Sequence, residues 1–469
     1  MSLIKIFNYI LIISVLLGSG CKVGQNYQRP SVQVPVGFDS TSHSDTSSIA
    51  SIKWNSFFKD TALVTLIDSG LQYNNDLQVA VKRIDIAEQQ LKQARLSLLP
   101  QLNLQVAASY TKLSENSLNG LSAGQFGITD IENYTGSLNL SWELDIWGKI
   151  RRQKESALAQ YFQTYEATKA VQTQLVANIA QGYYNLLMLD KQLTIARRNL
   201  SLNDSTLVLT RLLKASGDVT DLAIQQSEAQ RQATALLIPQ LEQAITLQEN
   251  ALQLLAGRLP GRIKRVDTDQ GEELNPGVKT GLPAAIVSRR PDIRANEMAL
   301  KSANAAVGVA QASMYPSLTL FAGGGIESLS FDKWFNVPAS LFGLASGALV
   351  QPVFNGRALK TQYETAKLRR EQAVLQFRQS VLVAMSEVSN ALVQTKKLSE
   401  QRTLAQQQVE TLQKATRNAN LLFQSDMANY LEVITAQRSA LQAELNLVAI
   451  QRQQKGAVVE LYRALGGGW

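Results

Sequence analysis

The chain contains one cysteine and one histidine among 469 residues. A single cysteine excludes a disulfide framework within the chain, and the shortage of both residue types nearly excludes a metal site built from them. An enzyme would need a nucleophile with a base, paired carboxylates in a cleft or a metal cluster, and no glycine loop of the phosphate-binding type is present. The sequence therefore favours a protein that is not an enzyme and that needs no cofactor or metal.

The chain also lacks blocks of like charge and long internal apolar runs. Its net charge is +8, from 46 basic and 38 acidic residues. The basic residues are spread along helical segments, a pattern that argues against nucleic-acid binding. No internal run approaches the ~20 apolar residues of a membrane-spanning helix.

A heptad pattern that runs into a proline occurs twice. Residues 291–315 predict a helix that ends at Pro316, because proline lacks the N–H donor and clashes with the preceding turn. A helix over about 60–98 leads in the same way to Pro100, 216 positions earlier (316 minus 100). The apolar seams are Ile293, Leu300, Val307 and Met314 in one case and Leu77, Ile84, Leu91 and Leu98 in the other. We therefore predict two structural repeats, with Pro100 and Pro316 as helix-to-strand junctions.

Each proline is followed by two strand-like segments. The first pair covers about 101–111 and 134–146, and the second, weaker pair covers about 317–326 and 340–354. Each segment has about the length of a tilted membrane-spanning strand. Apolar and polar residues alternate as in a barrel wall with lipid outside and water inside. A hairpin packed on a soluble core gives the same alternation, so both interpretations stay open.

The remaining segments predict two long helical hairpins. Repeat 1 (54–257) contains a hairpin over 150–255, with pattern breaks at 214–220 and Pro239. Repeat 2 (284–469) contains a hairpin over 358–465, broken at 424–429. A connector rich in glycine, proline and charge joins the repeats at 258–283.

The first 50 residues predict a targeting segment and a tether. Residues 1–20 have the charge, apolar run and small residues of a signal peptide. Cys21 follows at once, as in a bacterial lipobox, although Gly18 stands where leucine is usual. Residues 21–53 are then a lipidated tether, in which His43 is solvated. A plain secretory signal with an incidental cysteine is the alternative.

Four strands cannot close a barrel on their own. An open sheet edge in lipid costs several kcal/mol per unpaired backbone group, and single-chain barrels start at about eight strands. If the strands lie in a membrane, the chain must therefore oligomerise, and three copies would give about twelve strands. The helices are far longer than a membrane is thick and must project away from it.

Four motifs resemble those of the TolC family of outer-membrane efflux proteins, and most closely its OprM-like or NodT-like lipoprotein branch. They are CKVGQNYQRP at 21–30, GLPAAIVSRRPDI at 281–293, the A-x-x-S-x-x-P-x-L-x-L ending of both copies, and LYRALGGGW at 461–469. The resemblance implies an α+β membrane protein in the outer membrane of a Gram-negative bacterium. It implies a homotrimer with a 12-stranded β-barrel continued by a periplasmic α-helical barrel. It also implies an exit duct for small molecules such as drugs or toxic compounds, which docks to a periplasmic adaptor and an inner-membrane pump of the resistance-nodulation-division class.

The resemblance further implies a gate at the tips of the helical hairpins, Lys214–Leu222 and Phe423–Ile434. The gate candidates are Asp218, Asp221, Phe423, Asp426 and Glu432. Phe423 stands where the family has a gating tyrosine, Ala428 where it has an arginine, and Thr435 where it has a second aspartate. These departures argue against the family's salt-bridge latch, and the alternative is that the acids only solvate two turns.

Two other functions are compatible with the sequence. One is the outer-membrane component of a type I protein secretion system. The other is a lipid-anchored coiled-coil scaffold without a channel, which explains the lipobox and the heptads but not the two matched pairs of alternating segments.

Overall fold

The computed structural model describes residues 23–32, 48–114, 116–128, 130–265, 283–425 and 427–469. The predicted signal peptide, Cys21, His43, Asp426 and most of the predicted connector lie outside the described residues. Within the described ranges, no helix is both long and apolar enough to cross a membrane.

Four strands and ten α-helices make up the described chain. The strands are β1 (Gln101–Lys112), β2 (Asp130–Leu144), β3 (Ser317–Ser328) and β4 (Leu341–Val350). The helices before β3 are α1 (Trp54–Phe57), α2 (Thr61–Tyr73), α3 (Asn75–Leu96), α4 (Leu118–Gly124), α5 (Lys149–Ser216), α6 (Asp221–Leu255), α7 (Pro283–Arg289) and α8 (Pro291–Ala312). The helices after β4 are α9 (Ala358–Gln424) and α10 (Tyr430–Ala464), and short 3₁₀ helices lie at Ile49–Ser51 and Phe331–Lys333.

The element bounds repeat along the chain. Helices α3 and α8 each have 22 residues, and strands β1 and β3 each have 12. The same offset of 216 positions relates both pairs (291 minus 75, and 317 minus 101). Helices α6 and α10 both have 35 residues. These matches support two repeats of one plan.

Two of the predicted helices differ from the structure in their bounds. The predicted helix over 60–98 is interrupted at Asn74, whose side-chain oxygen accepts the Leu77 N–H at 3.0 Å and whose amide donates to Leu255 O at 3.1 Å. Helix α3 ends four residues before Pro100, and α8 ends four residues before Pro316 instead of reaching residue 315. A turn fills each gap, because the residue before a proline avoids the helical conformation.

The predicted break at Pro239 is wrong, since α6 continues through that residue. A proline inside a helix costs ~3 kcal/mol, which packing along a 35-residue helix can offset. Strand β2 begins at Asp130, four residues before the predicted start, whereas β4 ends at Val350, before the predicted end at 354. Pro352 has no N–H to donate to a strand ladder, which accounts for the shorter β4.

The chain forms two compact units, and neither coincides with a predicted repeat. Unit 1 contains residues 1–30, 85–163 and 297–376, and unit 2 contains residues 31–84, 164–296 and 377–469. Each unit therefore combines segments from both repeats. Unit 1 holds a four-stranded antiparallel sheet in the order β1-β2-β3-β4.

The core of unit 2 joins the start of its helical part to the end of the chain. Phe57 stacks on Tyr462 with ring centroids 4.0 Å apart, and the Tyr462 hydroxyl donates to Ile52 O at 2.6 Å. Burial raises the pKa of Tyr462 to about 12. Leu63, Ile67 and Ile179 are fully buried in the same cluster.

An ion-pair network ties the start of α8 to α9 and α10. Arg290 donates to both carboxylate oxygens of Asp292 at 3.0 and 2.6 Å. It also donates to Glu387 at 2.7 Å and to Ala464 O at 3.0 Å. Burial alone would raise the pKa of Asp292, but the hydrogen bonds from Arg290 hold that pKa below its ordinary value. The network explains the SRRPDI motif as a structural clamp.

The lowered pKa predicts an acid-sensitive contribution from Asp292. A carboxylate of this kind stabilises the fold above its unfolded pKa of about 3.9, and the contribution is lost as the pH falls through the lower folded value. We expect Asp292→Asn to lower the melting temperature of the purified protein in detergent at pH 7 by roughly 2–4 °C, the shift that ~1 kcal/mol gives in a large chain. The difference from wild type should shrink as the pH is lowered below about 4.

Asp76→Asn is the matched control, because exposed Asp76 occupies the equivalent position in the first turn of α3. Its melting temperature should follow wild type at every pH. Equal melting curves for all three proteins at pH 7 would contradict the clamp.

Candidate functional site

The register of the sheet in unit 1 places apolar side chains on one face of all four strands. Leu104 lies opposite Leu138, and Trp142 lies opposite Leu320. Across β3 and β4, Leu318 pairs with Leu349. This surface, called here the apolar face, leaves Leu102, Leu104 and Val106 63%, 72% and 65% exposed. In the isolated chain the β1 part of this face is an exposed apolar surface, whereas Tyr134 on β2 packs against Phe331 and Trp334.

The opposite surface, called here the polar face, divides into two halves. On β1 and β2 it carries amides and hydroxyls, including Asn103, Gln105 and Asn139. On β3 and β4 it carries glycines and apolar residues, because Gly325 pairs with Phe342 and Gly323 with Leu344. An apolar face backed by a water-compatible face is the pattern of a sheet between lipid and water.

Pro316 lies at a junction fixed by aromatic residues. The Trp147 ring N–H donates to Pro316 O at 2.7 Å, and Trp147 stacks on Tyr315 with centroids 4.9 Å apart. Near Pro100, the Trp142 ring N–H donates to Leu98 O at 2.9 Å. Tryptophan is typical of the level where a membrane meets water, so both helix-to-strand junctions have the expected interfacial chemistry.

The first described residues form a strap across unit 1. Val23 donates its N–H to Trp147 O at 3.4 Å. Gly24 has a φ of +88°, and a Cβ at this position would lie 2.9 Å from the Gly308 Cα. Arg152 donates to Gly24 O at 2.8 Å and is only 1% exposed. Buried arginine and paired glycines thus hold residue 23 beside the Pro316 junction.

The first hairpin tip, in unit 2, contains two of the candidate acids. Gly217 adopts a φ of +94°, and the Asp218 N–H donates to Leu213 O at 2.9 Å. This is a glycine-containing helix end of the Schellman type. The Asp218 carboxylate accepts from Ser216 at 2.5 Å. Asp221 lies 3.4 Å from Lys214 and remains 78% exposed, so it is only partly neutralised.

The second hairpin tip places Glu432 and Phe423 differently. The Asn429 side chain caps α10 by accepting the Leu431 and Glu432 N–H groups at 2.9 and 3.1 Å. Glu432 is exposed and has no ion-pair partner among the described residues. Phe423 is 5% exposed and therefore buried within the tip. Among the described residues, no ion pair joins the first tip to the second.

A layer of buried polar contacts lies behind the tips, and the sequence reasoning missed it. Gln437 donates to Thr206 at 2.9 Å, and Asn203 donates to Thr234 at 2.8 Å. Glu444 accepts from Arg198 at 2.5 Å and from Gln413 at 2.6 Å. These bonds tie α10 to α5 and α9, and α5 to α6. The signal in the sequence is the polar 4-3-4 spacing of Asn199, Asn203, Thr206 and Thr210 on one helix face.

The family model for outer membrane efflux proteins matches residues 66–258 and 282–467. The chain belongs to the outer membrane efflux protein family. The TolC-like fold and the outer-membrane location predicted from the resemblance are thereby confirmed. The protein is an outer-membrane channel of the efflux type.

Three relatives align over nearly the whole chain. Cation efflux system protein CusC of Escherichia coli O6:H1 is 31% identical, with 96% of each chain covered. Probable outer membrane lipoprotein SilC of Salmonella typhimurium is 29% identical, with 97% of each covered. Toluene efflux pump outer membrane protein TtgC of Pseudomonas putida is 30% identical, with 98% of this chain and 95% of TtgC covered.

Solved structures agree with these relatives. A crystal structure of CusC is 29% identical and has a TM-score of 0.83 over 96% of this chain and all of CusC. The outer-membrane channel OprN is 25% identical and has a TM-score of 0.88, with 96% of this chain and all of OprN covered.

The gate that the family resemblance implies leads to a prediction about conductance. If the two tips close the duct, we expect Asp426→Ala combined with Glu432→Ala to raise single-channel conductance in planar bilayers, because shorter side chains would widen the constriction. Cation-over-anion selectivity should fall with the lost charge. Glu242→Gln is the control, since this exposed carboxylate pairs with Arg197 away from either tip. Unchanged conductance and selectivity in the double variant would remove these acids from the gate.

Proposed function

We propose that the chain is the exit duct of a tripartite efflux system and works as a homotrimer. The observation that carries this proposal is the sheet with one apolar face and two open edges. Strands β1 and β4 each pair with one strand among the described residues. In lipid an open edge is costly, and pairing β1 of one copy with β4 of the next satisfies every edge. Three copies then give a closed barrel of twelve strands.

The family relationship supports the rest of the assembly. We infer that a periplasmic adaptor and an inner-membrane pump of the resistance-nodulation-division class deliver the cargo, and that the duct itself carries out no catalysis. The cargo is a small molecule such as a drug or a toxic compound. CusC is named for cation efflux and TtgC for toluene efflux. Because these cargoes differ in chemistry, the cargo of this chain has to be inferred from the residues that line its own duct.

We also propose that the two hairpin tips form the periplasmic gate. Asp218, Asp221, Asp426 and Glu432 would supply carboxylates at the constriction, each present three times in a trimer. The exposed positions of Asp221 and Glu432 support this role. The burial of Phe423 supports a different role for that residue, as packing that holds the second tip rather than as a mobile gate.

Finally, we propose that Cys21 carries lipid. The position of Val23 supports this, because the strap holds it beside Trp147 and Pro316, where the strands begin. Two residues span at most ~7 Å, so acyl chains on Cys21 would enter the membrane directly at its interface. SilC is named as a lipoprotein.

Lipidation is tested by mass spectrometry of the protein purified from membranes. We expect the mature chain to begin at Cys21 and to carry the mass of a diacylglycerol group and an acyl chain. In Cys21→Ser the added mass should disappear. A wild-type protein without added mass would contradict the proposal.

The barrel is tested by one pair of variants on adjacent residues of β1. We expect Leu104→Arg to reduce the heat-modifiable trimer in outer membranes strongly, because arginine near the bilayer midplane costs ~2–4 kcal/mol in a barrel strand. Gln105→Arg, on the polar face, should assemble normally and shift ion selectivity towards anions. Normal trimers from Leu104→Arg would overturn the membrane assignment of the apolar face.

A further inference from the structure

We propose that the outer mouth of the duct contains a binding site for an organic cation with apolar groups. This inference rests on the proposed function, because that function makes the polar face of the sheet the duct wall. The family relationship leaves the class of cargo open, and this inference assigns one.

A cavity of about 330 Å³ lies at the ends of β2, β3 and β4 and the loop between β3 and β4. Its strand residues include Ile131, Asn133, Glu327 and Phe342. The register places these four on the polar face, since Asn133 pairs with Ser109, and Phe342 with Gly325. Because β3 starts next to Pro316 and ends at Ser328, the cavity is at the strand ends far from that junction. In the proposed duct this is the external mouth.

The cavity offers hydrogen-bond acceptors. The Asn133 amide nitrogen donates to Glu327 at 3.0 Å, which orients the amide oxygen away from the carboxylate. That oxygen is buried and has no partner among the described residues. Glu327 has no ion-pair partner there either, so its exposed carboxylate presents an uncompensated negative charge to the cavity. This arrangement favours a cation.

The rest of the wall favours apolar groups on that cation. Phe342, Leu344, Val350 and Phe321 lie on the polar face of β3 and β4. Leu344 is 63% and Phe321 is 42% exposed. Phe342 can contact a cation through its ring face, and the apolar strip extends from the cavity towards Pro316.

Charges on the remaining duct wall are consistent with this specificity. Among the described strand residues of the polar face, the charged side chains are Glu143 and Glu327, and no lysine or arginine is present. Glu143 is neutralised by Lys149 at 2.5 Å. A bare metal ion would need several oxygen ligands, and the described residues contain no acidic or histidine cluster that could hold one.

The test compares two cations of equal charge and different apolar surface. Purified trimers in lipid nanodiscs are dialysed to equilibrium against tetraphenylphosphonium or tetramethylammonium. We expect wild type to bind tetraphenylphosphonium, and Glu327→Gln and Phe342→Ser each to weaken that binding about tenfold, a change of 1.4 kcal/mol. Tetramethylammonium should bind only weakly to all proteins. Glu132→Gln is the matched control, because Glu132 neighbours Asn133 on β2 but lies on the apolar face, and its binding should equal that of wild type.

Planar-bilayer recordings of the same proteins separate the two proposals. Wild-type trimers could conduct ions and yet bind tetraphenylphosphonium no better than the Glu327→Gln trimers do. This result would overturn the mouth site and leave the duct intact. Proteins that form neither trimers nor conducting pores would overturn the duct and the mouth site together. Equal loss of binding in Glu132→Gln and Glu327→Gln would assign the effect to general surface charge and contradict the site.

Discussion

The backbone hydrogen bonds of the sheet edges constrain this protein more than any other interaction. Strands β1 and β4 present N–H and C=O groups that the described chain leaves without a strand partner. In water such an edge would tolerate solvation, whereas in lipid it must be paired. The apolar face of the sheet excludes water, so pairing between copies is the remaining solution. Assembly of several copies is thus a consequence of membrane insertion.

The same constraint explains why helix and strand meet as they do. A helix satisfies its own backbone groups and can extend through water to any length, as α5 and α9 do over 68 and 67 residues. The four strands of one copy, in contrast, need backbone hydrogen bonds from the strands of neighbouring copies. The turns before Pro100 and Pro316 connect helix to strand within four residues. Trp142 and Trp147 hold those turns by hydrogen bonds to backbone carbonyls. The transition from helix to strand is therefore fixed at these positions.

Local signals were sufficient to predict much of this plan. The heptad seams, the two prolines and the strand alternation are properties of neighbouring residues, and they gave the order of elements. The helix break predicted at Pro239 is absent because packing along α6 outweighs the local free-energy cost of proline. The strap could not be predicted, since Arg152 and Gly24 are 128 residues apart. The mouth site depends on register, because the pairing of Gly325 with Phe342 shows which apolar residues of β4 share a face with Glu327.

The strap also sets an order for the biogenesis of the protein. Val23 and Gly24 pack against Trp147, Gly308 and Arg152, and Val23 is buried there. If Cys21 carries lipid as proposed, we expect the lipid to be attached while the N-terminal segment is still extended, before unit 1 folds. The acyl chains would then tether an unfolded chain to a membrane during its passage across the periplasm, and docking of the strap would be among the last steps of assembly.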